Sequence, residues 1–89
     1  MSERTVIVAS AVGLHARPAA LFSQAAAATE VTVMLTRDDG TSVNAASILG
    51  VLSLGIAHGD TVTISAEGGG AEDALDSLAA LLATDLDAE

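Results

Sequence analysis

The sequence has no cysteine, no lysine, no tryptophan and no tyrosine; Phe22 is its one aromatic residue and Pro18 its one proline. Without thiols there are no disulfides and no thiolate chemistry, and cysteine usage says nothing of redox compartment. The cations are Arg4, Arg17 and Arg37, set against 12 Asp and Glu, for a formal net charge of -9 at pH 7. That balance argues against a nucleic-acid binder, whose affinity for phosphate backbones rests on Lys and Arg. Single-strand binding by base stacking lacks its aromatic platforms as well. No hydrophobic run is long. Residues 6–14 fall far short of a bilayer span, and Met1-Ser2-Glu3-Arg4 before them carries no net positive charge. The expectation is a cytoplasmic protein with no membrane insertion. His15 and His58 are far apart and have no paired carboxylates at ligand spacing, so neither a metal site nor a cofactor is expected.

What is present is small and apolar. Of 89 residues, 51% are hydrophobic, mostly Ala, Val, Leu and Ile, which predicts layers that approach closely. The length and the lack of a composition break predict a single domain over residues 1–89. The acidic surface serves solubility first.

Periodicity predicts the order βαββαβα. Residues 4–9 are rich in β-branched side chains and read as a first strand with Val6 and Val8 on one face. From Ala16 to about Ala28 the pattern is helical, with Ala19, Phe22 and Ala26 at spacings of three and four and Leu21 and Ala25 beside them. Residues 31–37 alternate, Val31, Val33 and Leu35 against Thr32, Met34 and Thr36, as a strand with one wet face does. Asp38-Asp39-Gly40 is a hairpin signal, leaving residues 41–44 for a short edge strand. Residues 47–54 read as a short helix with Ser47 as N-cap and Gly55 as stop, weakened by Gly50. Residues 61–66 are the most regular strand, Val62, Ile64 and Ala66 facing in. Gly68-Gly69-Gly70 lacks the Gly-Lys-Ser/Thr continuation of a nucleotide loop and reads as a flexible connector. It leads into a helix over residues 71–86 with Glu72 and Asp73 in its first turn and Leu75, Leu78, Leu82 and Leu86 as its buried stripe. Strands with one apolar and one hydroxyl-rich face predict one sheet covered by helices on one side, an open-faced two-layer sandwich of the α+β class.

The most specific stretch is Gly13-Leu14-His15-Ala16-Arg17-Pro18-Ala19-Ala20. A strand-and-loop segment ends, a helix begins, and Leu14 is placed to pack on the first turn as a hydrophobic staple. His15 then stands against the free N–H groups of a helix N-terminus, where anions bind, with Arg17 nearby. Pro18 removes an N–H that has no partner within the helix in any case. The same field opposes imidazolium formation, leaving a neutral, nucleophilic ring near pH 7. His58, in a turn beside Gly59, reads as an exposed polar residue without a role in this site.

Two stretches, residues 13–19 and Asn44-Ala45-Ala46-Ser47-Ile48-Leu49-Gly50-Val51-Leu52-Ser53-Leu54-Gly55, carry a family resemblance that extends in register over essentially the whole chain. The sequence resembles HPr, the histidine-containing phosphocarrier of the bacterial phosphoenolpyruvate-dependent sugar phosphotransferase system. The resemblance implies an antiparallel sheet of order 1-4-2-3 with three helices on one face. It implies a carrier rather than an enzyme, phosphorylated on Nδ1 of His15 by Enzyme I and giving the group to sugar-specific IIA domains. Arg17 would be the active-site arginine, and the backbone of Ala16 and Arg17 the phosphate-binding N–H groups. Ala16, Ala20, Leu49 and Leu52 would form an apolar docking patch on a monomer. Ser47 matches a serine that a kinase phosphorylates in many Gram-positive members, which brings in a serine kinase or phosphatase and a transcription regulator as further partners. The alternative is a regulatory binding module of the same fold that works through Ser47 and the apolar patch without relaying phosphate. This chain departs from the family pattern at Ala46, where a lysine is common, and in having no lysine on its first two helices.

Overall fold

A computed structural model of the chain describes residues 2–9, 13–14 and 16–84, with the backbone alone at Ala16. The elements follow the order β1 (Ser2–Ile7), α1 (Ala16–Ala28), β2 (Val33–Arg37), β3 (Ser42–Asn44), α2 (Ile48–Ser53), β4 (Thr61–Ala66) and α3 (Ala71–Leu82). The four strands form one antiparallel sheet of order β1-β4-β2-β3. This is the expected α+β open-faced sandwich.

The register explains the division of faces. Val6 lies opposite Val62, and Leu35 lies between Ile64 of β4 and Val43 of β3. Because side chains alternate, Val33, Leu35, Val62, Ile64 and Ala66 all point to the helical layer and are buried. The helices answer with Ala19, Phe22 and Ala26 of α1, Val51 of α2, and Ala71, Leu75, Leu78 and Leu82 of α3. On the other face hydroxyls pair across strands, Thr5 with Thr63 at 3.3 Å and Thr36 with Ser42 at 2.6 Å.

Boundaries shift where local hydrogen bonds override pattern. The first strand is Ser2–Ile7 rather than residues 4–9, since six residues of it pair with β4, whereas Ala9 donates to the Leu82 carbonyl at the end of α3. β2 begins at Val33, two residues later than the alternation suggests, because the Thr29 hydroxyl bonds the carbonyls of Ala26 and Val31 and holds the chain in a turn after α1. The last helix closes at Leu82, not at residue 86. Thr84 turns back there, its N–H on the Leu81 carbonyl and its hydroxyl on that of Ala80. Leu86 lies outside the described residues.

α3 is tied to the edge strand by charge. The Arg4 guanidinium meets Glu72 at 2.7 Å and Asp76 at 3.0 Å, and the Ser2 hydroxyl donates to Glu72. The Ser2 hydroxyl first, and Arg4 second, hold the Glu72 carboxyl below its ordinary range. A carboxyl lowered in the folded state contributes stability above its unfolded pKa and loses it as pH falls through the folded value. Arg4→Gln should therefore lower the urea midpoint slightly at neutral pH. The difference should vanish in strong acid, which paired denaturation curves would check; a pH-independent difference would contradict it.

Candidate functional site

The turn into α1 is fixed by close backbone packing. Gly13 is buried with φ +71°, and a Cβ built on it would lie 2.3 Å from the Ile56 carbonyl oxygen and 2.7 Å from Ala57 Cα. The next N–H, that of Leu14, donates to the same Ile56 carbonyl at 3.0 Å. Leu14 is buried in the core, as are Pro18, Ala19 and Phe22. These side chains set the position of the helix start, as the staple reading requires. The entry loop is thereby bound to the α2–β4 connection, a long-range contact that sets where α1 begins.

His15 lies outside the described residues. In the chain it directly precedes Ala16, the first residue of α1. The first four residues of an α-helix find no intrahelical acceptor for their N–H groups, here those of Ala16, Arg17 and Ala19 since Pro18 has none, and the first turn of α1 holds no acidic residue to compete for them. Arg17 is the second helical residue and is exposed. Arg4 is paired with Glu72 and Asp76 of α3, and Arg37 donates to the Leu54 carbonyl, the C-cap of α2, at 2.6 Å.

α2 stands beside α1. Ser47 is its N-cap, with Oγ accepting from the Gly50 N–H at 3.1 Å. A Cβ on Gly50 would come within 3.2 Å of Val43 Cβ and 3.3 Å of Ser47 Oγ, so the glycine that weakens the helical pattern is what lets α2 sit this close to β3 and its own cap. The sequence-predicted docking residues do not share one environment. Leu49 is 78% exposed, Ala20 is half-buried, and Leu52 is half-buried against the core. Ile48, 41% exposed beside Leu49, was not among the predicted residues. A six-residue helix that is apolar nearly all round gives no moment from which to read its outer face. Arg37 was missed too, since its contact joins the end of a strand to the end of a helix 17 positions on.

His58 is exposed in its turn. Among the described residues no group of three or more His, Cys, Asp or Glu is placed to hold a metal ion. A surface cavity of about 630 Å³ lies beyond the C-terminal end of α1 and is lined by Glu30 and Glu67 among others; it shares no residue with the α1 start, and its carboxylates are ill suited to an anion.

A model described as the PTS HPr component phosphorylation site matches residues 2–84. The chain belongs to the HPr family. It is 49% identical over 87 residues to the phosphocarrier protein HPr of Streptomyces coelicolor, covering 98% of this chain and 94% of that protein. It is 42% identical over 82 residues to the HPr-like protein Crh of Halalkalibacterium halodurans, covering 92% and 96% respectively. The solved structure of the phosphocarrier protein HPr from Bacillus anthracis superposes with a TM-score of 0.87 at 44% identity, covering 91% of this chain and 95% of that one. The HPr sheet order and helix placement are those described above, and the phosphocarrier names are those of a carrier rather than an enzyme. No described helix is long and apolar enough to cross a membrane.

Proposed function

We propose that this chain is a phosphocarrier of a sugar phosphotransferase system, taking a phosphoryl group from phospho-Enzyme I on Nδ1 of His15 and passing it to IIA domains. The observation that carries the reading is a histidine placed directly before an α-helix whose first turn is free of acidic residues, in a chain matched over residues 2–84 by the HPr phosphorylation-site model. The neutral ring nitrogen forms the new bond to phosphorus while the bond to the donor group on Enzyme I breaks; transfer to a IIA domain is the same exchange in reverse. The N–H groups of Ala16 and Arg17 and the Arg17 guanidinium hold the phosphoryl oxygens. The helix end favours that charge by roughly 0.3–1 kcal/mol, up to ~2 in a partly buried geometry. So shallow a stabilisation suits a group that must be given away. The patch of Ala16, Ala20, Leu49 and Leu52 meets both kinds of partner, and residues 1–89 act as one monomeric cytoplasmic domain.

Incubation with phosphoenolpyruvate and Enzyme I should give an acid-labile, base-stable phosphate on the chain; absence of label with an Enzyme I competent on another HPr would overturn the proposal. Arg17→Ala should slow transfer about a hundredfold, the scale of losing one charge-stabilising donor, with an unchanged melting curve. Stopped-flow transfer to a IIA domain measures this, and a normal rate would remove Arg17 from the site.

The Crh relative and the exposure of Ser47 support a second reading, regulation through that serine by a kinase, a phosphatase and a transcription regulator. A phosphate there would add about -1.5 to -2 charge beside the docking patch. Phosphoserine at Ser47 in cells, together with normal sugar uptake in His15→Ala, would favour it over the relay.

A further inference from the structure

Arg37 closes β2, and its backbone is held on both sides. It pairs with Val62 of β4, its N–H donates to the Thr41 carbonyl at 2.9 Å, and its own carbonyl accepts from the Gly40 N–H at 3.0 Å. From this fixed base the half-buried side chain reaches a residue 17 positions on, Nη1 donating to the Leu54 carbonyl at 2.6 Å. Leu54 is the C-cap of α2, where carbonyls have no N–H partner within the helix. A hydrogen bond from a cation to such a carbonyl is one of the stronger kinds in a protein.

The residues after Leu54 lead straight to the start of α1. Gly55 has φ +61° with nothing within 4 Å of a Cβ built on it, and Ile56 supplies the carbonyl on which the Leu14 N–H rests at 3.0 Å. Gly13 packs against that same carbonyl. The buried side chains of Leu54 and Ile56 fix the two ends of this short path. They do not fix the peptide plane between Leu54 and Gly55, since glycine accepts either sign of φ and no packing at Gly55 opposes a rotation. Two bonds hold that plane: the Gly55 N–H on the Leu52 carbonyl at 3.2 Å, and Arg37 on the opposite edge at 2.6 Å. The guanidinium makes the shorter bond and the charged one.

Resting on the phosphocarrier reading, we propose that Arg37 is a positioning residue for phosphoryl transfer: by holding the Leu54–Gly55 peptide it orients the Ile56 carbonyl, which in turn holds the helix start that follows His15. It acts through the backbone and not on the phosphoryl group. Without it the plane is free to turn, the Leu14–Ile56 bond opens more often, and the start of α1 shifts relative to the reacting ring.

Arg37→Gln and Arg4→Gln each remove one positive charge and so form a matched pair. Single-turnover transfer from phospho-Enzyme I, followed by rapid quench at increasing chain concentration, gives a limiting rate and a half-saturating concentration. Arg37→Gln should lower the limiting rate about tenfold with the half-saturating concentration nearly unchanged, since small misplacements of reacting groups cost rate on that order. Hydrogen exchange should show the Leu14 amide opening about tenfold faster relative to the β4 amides, the mark of local rather than global loosening. Arg37→Lys, which keeps the charge and a donor, should recover most of both, and Arg4→Gln should change neither. A rise in half-saturating concentration alone would make Arg37 a partner contact, and equal loss of protection at Leu14 and β4 would make it a general stabiliser; either overturns the proposal, as do unchanged values. Where the parent chain takes label normally, these failures leave the phosphocarrier reading standing. Failure of the parent to label overturns that reading, and this proposal with it.

Discussion

His15→Ala should take up no phosphate at all from phosphoenolpyruvate and Enzyme I, while its circular dichroism and melting temperature match those of the parent. The effect is total because the remaining histidine, His58, is exposed in the turn before β4 and does not begin a helix. His58→Ala should accordingly label at the normal rate. Ala in place of His15 leaves the elements that fix the turn, Gly13, Leu14 and Pro18, in place, so the loss is chemical rather than structural. Acid-labile label persisting on His15→Ala would show that the acceptor lies elsewhere.

Gly13→Ala should be among the most destabilising single substitutions in the chain. Two costs combine. The residue sits at φ +71°, a left-handed conformation that costs an L-residue roughly 1–2 kcal/mol. The added methyl would also lie 2.3 Å from the Ile56 carbonyl and 2.9 Å from the Ala57 carbonyl carbon, backbone that cannot rotate away, and such overpacking costs about 1–3 kcal/mol more. A total of roughly 2–5 kcal/mol corresponds to a fall in melting temperature of about 10–40 °C in a domain of this size. The structure relaxes by pulling the loop from Ile56, which breaks the Leu14–Ile56 hydrogen bond and displaces the start of α1, so phosphoryl transfer should fall as well. Gly40→Ala is the matched control: its φ is +94° with nothing within 4 Å of the new Cβ, so it bears the conformational cost alone. Equal melting temperatures for the two variants would remove the close approach from the account.

These two predictions draw on different levels of the molecule. The role proposed for His15 is readable from a string of eight letters because it rests on local order: a histidine, then a helix start, then Arg17 and Pro18 within the first turn. The role of Gly13 as more than a loop residue is not legible there. What it must avoid is the backbone at Ile56 and Ala57, more than 40 positions away, and no local pattern records that distance.

The same division runs through the fold. Alternation in residues 61–66 gave β4 to the residue, with its inner face, because a strand with one buried side must alternate. The α1 limits also agree, since alanine-rich sequence between Pro18 and Thr29 favours little else than helix. The sequence failed where tertiary contact overrides local preference: at β1, extended N-terminally to Ser2 by pairing with β4, and at α3, ended early by the turn at Thr84. It failed likewise on the surface of α2, where Leu52 turns toward the core and Ile48 away from it although both are equally apolar.

By itself, then, the sequence determined which segments are strands and helices, which faces they bury, and that a histidine directly precedes the first helix, because each follows from periodicity or from the order of a few neighbouring residues. Only the tertiary structure decided how that helix start is held, through Gly13 against Ile56. It alone decided that Arg4 pairs with α3, that Arg37 donates to the C-cap carbonyl of α2, and that α2 stands beside α1. Those depend on residues far apart in the chain meeting at van der Waals or hydrogen-bond distance, which the packing of the sheet against its helices brings about and local order does not encode.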